Sequence, residues 1–528
     1  MRAFDRPGRS AVYAENGMAA TSHPLATAVA LDVLKGGGNA ADAAVAASAT
    51  LCVVEPHMTG IGGDCLAIVA EPDGSVHALN GSGRAPAAAS GERYRALGLR
   101  EVPETGALGV TAPGALKAWE TLLHRFGTRG FDDLFRPAIR YAEDGFAIHP
   151  RVARDWPGYV ADLSRDEGGS RHLLVDGRAP KVGERFRAPA LASTLRIVAR
   201  GGAKAFYEGE IAAEMAATIQ AKGGFLSEQD LLQVTADWVD PISLSYGGHD
   251  IIEMPPNGQG ITALILLGLM ERIGVRTAAP DSVERYHLEI EAARLAYAVR
   301  DHLVGDPETM TVAPAAILSD AHLDALAGRI DPRRHNPDVA LPELPDADTI
   351  YLTVVDRDRR AVSFINSVYS GFGSRVVTPR SGVTLQNRGA CFTLEPGHPN
   401  ELGPGKRPMH TIIPAMAMKD GRVAASFGVM GGAFQPMGHA HVLANMVDFS
   451  MDPQEAVDHP RLFWDKDGVL AVESGISESV RQGMIARGHQ VRDAASPHGG
   501  GQIIAVDHES GFLIGGSDPR KDGLALGW

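Results

Sequence analysis

Thr349 opens the stretch "TIYLTVVD", directly after "DPRRHNPDVALPELPDAD", Asp331 to Asp348, a run rich in proline and charge with neither helical nor strand periodicity. A threonine hydroxyl is a weak nucleophile until a base accepts its proton. Cutting the chain just before the threonine supplies one, because the new α-amino group, with a pKa near ~8, then sits beside the hydroxyl. Such chemistry needs an accessible cleavage segment and a rigidly held threonine. Exposed chain up to Asp348, followed by a strand from Thr349, provides both, although the same layout also fits an ordinary β-forming threonine. Ile350, Leu352 and Val354 alternate with Thr349, Tyr351 and Thr353, the pattern of a half-buried strand. "DRDRR" and then "AVSFINS" predict a hairpin. If Asp356 pairs with Arg360 across a three-residue loop, Thr349 falls opposite Ser367 on the same face, and two hydroxyls meet.

A second constellation is Gly431 and Gly432 in "VMGGAF", just before a helical pattern that begins near Ala433. Adjacent backbone N–H groups without side chains can approach and stabilise developing negative charge, and a helix N-terminus adds its dipole. Read alone, the pair also fits a tight turn. His439 and His441 are two residues apart, which places them on different faces of that helix and argues against a shared metal. "SPHGGGQ" and "GIGGD" fit neither a P-loop nor a dinucleotide-binding turn and are assigned to backbone packing. No metal and no cofactor are expected.

The elements that must position these groups begin with a helix in "SHPLATAVALDVLKGGGN", with Ser22 as cap, Pro24 in the first turn and Gly36 to Gly38 as the stop. An alanine-rich helix follows to about Leu51, then a glycine-rich turn and strands at Cys65 to Ala70 and Val76 to Leu79. Pro113 to Asp331 reads as mostly helical, and strands return after Asp348. Across 528 residues, 44% hydrophobic and 22% charged, the composition is that of a globular chain with a large core. A net charge of −14 without a Lys/Arg-dense block argues against nucleic acid and favours a small-molecule substrate. Three cysteines build no disulfide framework. With no long apolar stretch and no signal-peptide pattern, no membrane contact and a cytoplasmic location are expected.

Ten stretches occur in the order seen in one enzyme family: "GGGNAADAAVA", "GIGGD", "AFYEGEIAAEM", "KGGFLSEQDL", "MPPNGQGI", "VGDP", "DTIYLTVVD", "GPGKRPMHTIIPAM", "GVMGGAF" and "GGSDPRKDGLALGW". On these the chain resembles the γ-glutamyltranspeptidase family of N-terminal-nucleophile hydrolases over nearly its whole length. The resemblance implies an α+β fold, a four-layer αββα sandwich, and a precursor that cuts itself between Asp348 and Thr349. Residues 1–348 and 349–528 would remain together as one structural unit, with assembly of such pairs into a homo-oligomer left open. It also implies Thr349 as nucleophile, Ser367 as the hydroxyl that hydrogen-bonds it, and Gly431 and Gly432 as the oxyanion hole.

The chain departs from the family where γ-glutamyl enzymes grip their substrate. An arginine in a segment like "REMAP" becomes Ser82 in "SGRAP", with Arg84 two residues on; an amide and an acid in a segment like "NNQMDDF" become Arg388 and Cys391 in "QNRGACF"; an asparagine becomes Tyr369; a Ser-Ser pair becomes His410 and Thr411. Losing the carboxylate that binds an ammonium while gaining a guanidinium disfavours an α-amino acid headgroup and favours an anion. The chain is similar to the branch that includes oxamate amidohydrolase and cephalosporin acylase-like proteins. The expected activity is hydrolysis or acyl transfer on a small anionic acyl amide, with Arg84, Arg388, Tyr369, His410 and Thr411 as candidate substrate-binding residues. A true γ-glutamyltransferase and an inactive scaffold are the alternatives.

Overall fold

In the computed structural model, which describes residues 8–339 and 348–528, the alanine-rich segment forms the helix Ala40–Val54 with every residue buried. Alanine combines high helix propensity with little bulk, so this helix can lie against other elements all round. Its N-terminus carries a reciprocal cap between Asn39 and Asp42. The preceding helix, Pro24–Lys35, is capped by His23, whose Nδ1 accepts from the Leu25 N–H. Ser22, expected as the cap, instead donates to the buried Glu55 carboxylate.

These helices cover one of two seven-stranded antiparallel sheets. That sheet runs, in spatial order, Leu524–Gly527, Met18–Thr21, Asp348–Val355, Ala361–Tyr369, Asp64–Ala70, Val76–Gly81 and Asp237–Val239. The other runs Val12–Ala14, Leu513–Ser517, Gly500–Val506, Arg422–Met430, Ala415–Lys419, His249–Glu253 and Ile242–Tyr246, and is covered by the helices Gly260–Arg272, Gln435–Val447 and Pro453–Asp458, with Val283–Leu303 packed on the first of these. The result is an α+β four-layer αββα sandwich. Each sheet draws strands from both sides of Thr349 in the sequence.

Alternation along the strand Asp348–Val355 has a different meaning from the half-buried one expected. From Thr349 onward the strand is buried on both faces. Thr353 Oγ1 donates to Ser426 Oγ at 2.6 Å, and Tyr351 OH meets Ser363 Oγ at 2.7 Å. The hydroxyl-bearing face therefore packs against the second sheet, while Ile350, Leu352 and Val354 belong to the core under the helices. The sheets approach closely here: a Cβ at Gly428 would fall 2.4 Å from the Tyr351 ring.

The middle third is mostly helical, but its three strands between Asp237 and Glu253 were not foreseen. They extend the edges of both sheets. Residues 331–339 contain no helix or strand, and the remainder of the expected linker up to residue 347 lies outside the described residues. Among the described residues, no helix is long and apolar enough to cross a membrane.

Candidate functional site

The hairpin closes as a three-residue loop, with the Asp356 N–H donating to the Arg360 carbonyl at 3.1 Å. Pairing then runs regularly to Ile350 opposite Asn366, after which Asp348 pairs with Tyr369. Thr349 thus faces two residues, Ser367 and Val368, in a bulge. Bulges bend a strand locally and re-aim a side chain. Thr349 Oγ1 donates to Ser367 Oγ at 3.3 Å. Ser367 Oγ also accepts from the Tyr369 N–H at 2.8 Å and from the Arg388 guanidinium at 3.3 Å. These three donors share the two lone pairs of one oxygen, and the Ser367 proton is oriented away from them.

Arg388 is wholly buried in the short turn Arg388–Cys391. It donates to Thr411 Oγ1 at 2.6 Å, reaches Cys391 Sγ at 3.7 Å and stacks 4.3 Å over the Tyr369 ring. None of these partners is a carboxylate, and the buried Nε finds no hydrogen-bond partner among the described residues. A buried guanidinium ordinarily requires an anion. Tyr369 holds its place at φ +83°, a conformation costly for a non-glycine residue. Burial, and then the Cys391 thiol, push its phenol well above the ordinary value, so it is neutral beneath the guanidinium.

His410 is buried beside this group. Its Nδ1 accepts from the Ile412 N–H at 3.3 Å, so the proton sits on Nε2, 3.1 Å from Asp64 Oδ2. Burial, and then the Arg388 charge, lower its pKa to about 4, which leaves it neutral at pH 7. Asp64 is a hub that the sequence reading passed over: Oδ1 accepts from the Gly83 N–H at 2.9 Å, the Gly114 N–H at 3.0 Å and Gln386 Nε2 at 2.8 Å. An acid following "GIGG" at the head of an otherwise apolar strand was the available sign. Gly63, just before it, approaches so closely that a Cβ would lie 2.2 Å from the Ser367 carbonyl.

Gln259 was also missed. Its Nε2 donates to the carbonyls of Thr411 at 2.7 Å and Gly432 at 2.9 Å, and Arg300 fixes its Oε1 at 2.9 Å. It ties the segment carrying Thr411 to the glycine pair. Gly431 and Gly432 take φ of +126° and +56°, and a Cβ on Gly431 would meet Gly499 Cα at 2.8 Å. They lead through a single 3₁₀ turn into the helix Gln435–Val447. Gly431 borders a cavity of about 490 Å³ whose wall includes Tyr159, Phe434, Trp464, Arg151 and Arg154. Thr349 itself is fully buried.

Thr349, Ser367, Tyr369, Arg388 and Thr411 thus form one connected cluster, with His410 adjacent and Gly432 tied to it through Gln259. Arg84 is not brought into it. Its guanidinium donates to the Gly405 carbonyl at 3.0 Å and borders a separate small pocket beside Asp230 and Thr235. Ser82 Oγ accepts from Asn257 at 3.0 Å. His439 and His441 face different carboxylates, Glu253 and Glu289, as their spacing requires.

The sequence model of the family described as gamma-glutamyltranspeptidase matches residues 26–528. The chain belongs to the gamma-glutamyltranspeptidase family. This family member is 34% identical to the glutathione hydrolase-like YwrD proenzyme of Bacillus subtilis, over 97% of this chain and 98% of that one. It is 35% identical to the oxamate amidohydrolase proenzyme of Klebsiella pneumoniae, again over 97% and 98%. Among solved structures, the cephalosporin acylase from Bacillus halodurans superposes with a TM-score of 0.93 at 40% identity, covering 100% of this chain and 99% of that one. As a gamma-glutamyltranspeptidase family member of this kind, the protein is an enzyme of the amidohydrolase and γ-glutamyltransferase type.

Proposed function

We propose that the chain is a self-processing amide hydrolase that cleaves between Asp348 and Thr349 and then acts on a small amide whose acyl group carries an anion. The observation that carries this reading is the buried Arg388 guanidinium, 3.3 Å from Ser367 Oγ and without a carboxylate partner among the described residues. A substrate carboxylate is the missing counter-ion. Several relatives are named proenzymes, and one an oxamate amidohydrolase, which supports both halves of the reading.

In this scheme Thr349 Oγ1 attacks the Asp348 carbonyl carbon, the peptide C–N bond breaks, and the resulting ester is hydrolysed by water. Residues 1–348 and 349–528 remain together, and the freed α-amino group becomes the base. It takes the Thr349 proton as Oγ1 adds to the substrate carbonyl, and the N–H groups of Gly431 and Gly432 receive the oxyanion. Collapse releases the amine with that proton, and water or a second amine accepts the acyl group from the threonine. Ser367, itself held by Arg388 and the Tyr369 N–H, keeps the nucleophile in one rotamer. Burial of Thr349 in the uncut chain accords with a precursor in which the nucleophile is closed off.

Intact-mass measurement of the wild type beside Thr349→Ala tests the first step: two fragments from the former and one whole chain from the latter are expected. Two whole chains from folded protein would refute self-processing. Oxamate and short acyl amides assayed beside a γ-glutamyl anilide test the second step. Preferential turnover of the anilide would overturn the anionic-acyl assignment in favour of a γ-glutamyl substrate.

A further inference from the structure

His287 and Glu291 stand one turn apart on the same face of the helix Val283–Leu303. Two further histidines meet them: His489, which follows the helix Glu478–Ala486, and His335, in the segment that leads toward the cleavage region. His287 Nδ1 lies 2.9 Å from His489 Nε2, and Glu291 Oε1 lies 2.7 Å from His335 Nδ1 and 3.9 Å from His489 Nε2. Ligand-type atoms of His287, Glu291 and His489 all fall within 4.8 Å of one another, and all three residues are buried.

The tautomer of His287 is set by its outer partner. Its Nε2 lies 2.8 Å from the Asp331 carbonyl, which can only accept, so the proton resides on Nε2 and Nδ1 presents a lone pair to the cluster. A tetrahedral zinc ion with bonds of ~2.0–2.1 Å holds its ligand atoms ~3.3 Å apart. The separations of 2.9 and 3.9 Å bracket that value. Two or three imidazoles with one carboxylate are a borderline donor set suited to zinc rather than to magnesium or calcium.

Two guanidinium groups oppose a dication here. Arg294 NH1 is 3.8 Å from Glu291 Oε1 and lies 3.0 and 3.1 Å from the two nitrogens of His335. It is nonetheless anchored by the carbonyls of Asn336 at 2.6 Å and Val339 at 2.5 Å. Arg487 is paired with Glu284 at 3.1 Å. Glu291 is the one carboxylate in the donor set, and His335 must give up its Arg294 contact to join it.

We propose that His287, Glu291 and His489, with His335 in the fourth position, bind one Zn²⁺ ion. Three of these ligands precede Thr349 and one follows it. If the chain is cut there, a consequence that rests on the function proposed above, the ion joins the two parts through His335, Glu291 and His287 on one side and His489 on the other.

Metal-free protein, prepared by dialysis against a chelator, is titrated with Zn²⁺ by calorimetry and with Co²⁺ by visible absorption. The expected result is one Zn²⁺ per chain and the intense d–d bands of four-coordinate Co²⁺, which Zn²⁺ abolishes. Glu291→Gln and His489→Gln should each weaken binding by at least the ~10–100-fold seen when an outer partner of a ligand is lost. Uncleaved Thr349→Ala should bind equally, so failure to cleave and failure to bind are read separately. The wild-type Co²⁺ spectrum keeps the test intact if a variant does not fold. Absence of Zn²⁺ binding at large excess, or binding that neither substitution alters, overturns the site.

Discussion

Replacing Arg388 by alanine removes the one buried guanidinium beside the Thr349 hydroxyl, and its effect separates an anion-binding role from a packing role. In the complex, Arg388 would face a substrate carboxylate in a site where the guanidinium is already wholly buried. Removing one partner of a buried ion pair costs about 3–5 kcal/mol, because the other charge is left without its counter-ion. At ~1.36 kcal/mol per decade, kcat/KM for an anionic amide such as oxamate should fall by roughly two to four orders of magnitude. The substitution also removes hydrogen bonds to Ser367 and Thr411 and the stack on Tyr369. Those losses affect every substrate alike. The informative quantity is therefore the ratio of kcat/KM for the anionic amide to that for a neutral amide of similar size, measured on cleaved wild-type and Arg388→Ala enzyme. The ratio should collapse by most of the total loss. Equal losses on both substrates would show that Arg388 only positions Ser367, and the anionic-acyl assignment would lose its support.

Two further outcomes follow from the buried groups. His410, held down to about 4 against an ordinary ~6.5, binds a proton in the unfolded chain before it does so in the native one. Its contribution to stability is complete above about pH 6.5, declines as pH falls toward 4, and amounts to up to about 3 kcal/mol across that window. Urea midpoints of the wild type should fall more between pH 7.5 and pH 5 than those of His410→Gln, and parallel slopes would refute the assignment. Gly428→Ala would drive a methyl to 2.4 Å from the Tyr351 ring between the sheets. A loss of about 1–3 kcal/mol in urea unfolding is expected, and an unchanged midpoint would mean that the sheets separate more freely than their packing implies.

The local features of the site were the most legible in the sequence. Alternation from Thr349 and the acidic and basic residues of "DRDRR" set the hairpin, and loop length alone placed Ser367 near Thr349. Alternation could not tell whether the hydroxyl face meets water or another sheet, because threonine and tyrosine suit either surface. The second sheet that settles it is built from strands far away in sequence. Glycine-rich "GIGGD" reads as a turn, but the roles of Asp64 and Gln259 in the site come largely from partners far away in sequence, His410 and Gln386 for the first and the Thr411 and Gly432 carbonyls for the second. Arg84 and Arg388 were equivalent as sequence candidates, since each is an arginine near a segment that could line the site. Only tertiary packing turns one toward Ser367 and the other toward Gly405. His287 and Glu291 are one helical turn apart in the sequence, but His335 and His489 join them only through folding, so the set of four shows no compact spacing.

Neither the residues before Thr349 nor those after it own a sheet. The strand Asp348–Val355 lies between Met18–Thr21 and Ala361–Tyr369, and Ala415–Lys419 lies between Arg422–Met430 and His249–Glu253. If the chain is cut before Thr349 as proposed, the two polypeptides are interleaved rather than docked. Their separation would break hydrogen-bonded ladders inside both cores, so dissociation and unfolding become a single event. Dilution therefore acts on folding itself: by mass action it favours the separated, unfolded fragments, so the stability of the cut pair depends on its concentration, while the uncut chain's does not. Two differently tagged preparations mixed in their folded state would keep their original pairings, and the fragments expressed apart would have to fold onto one another rather than meet as finished surfaces. Cutting after folding avoids that bimolecular search, which gives a single-chain precursor a kinetic rationale independent of its chemistry.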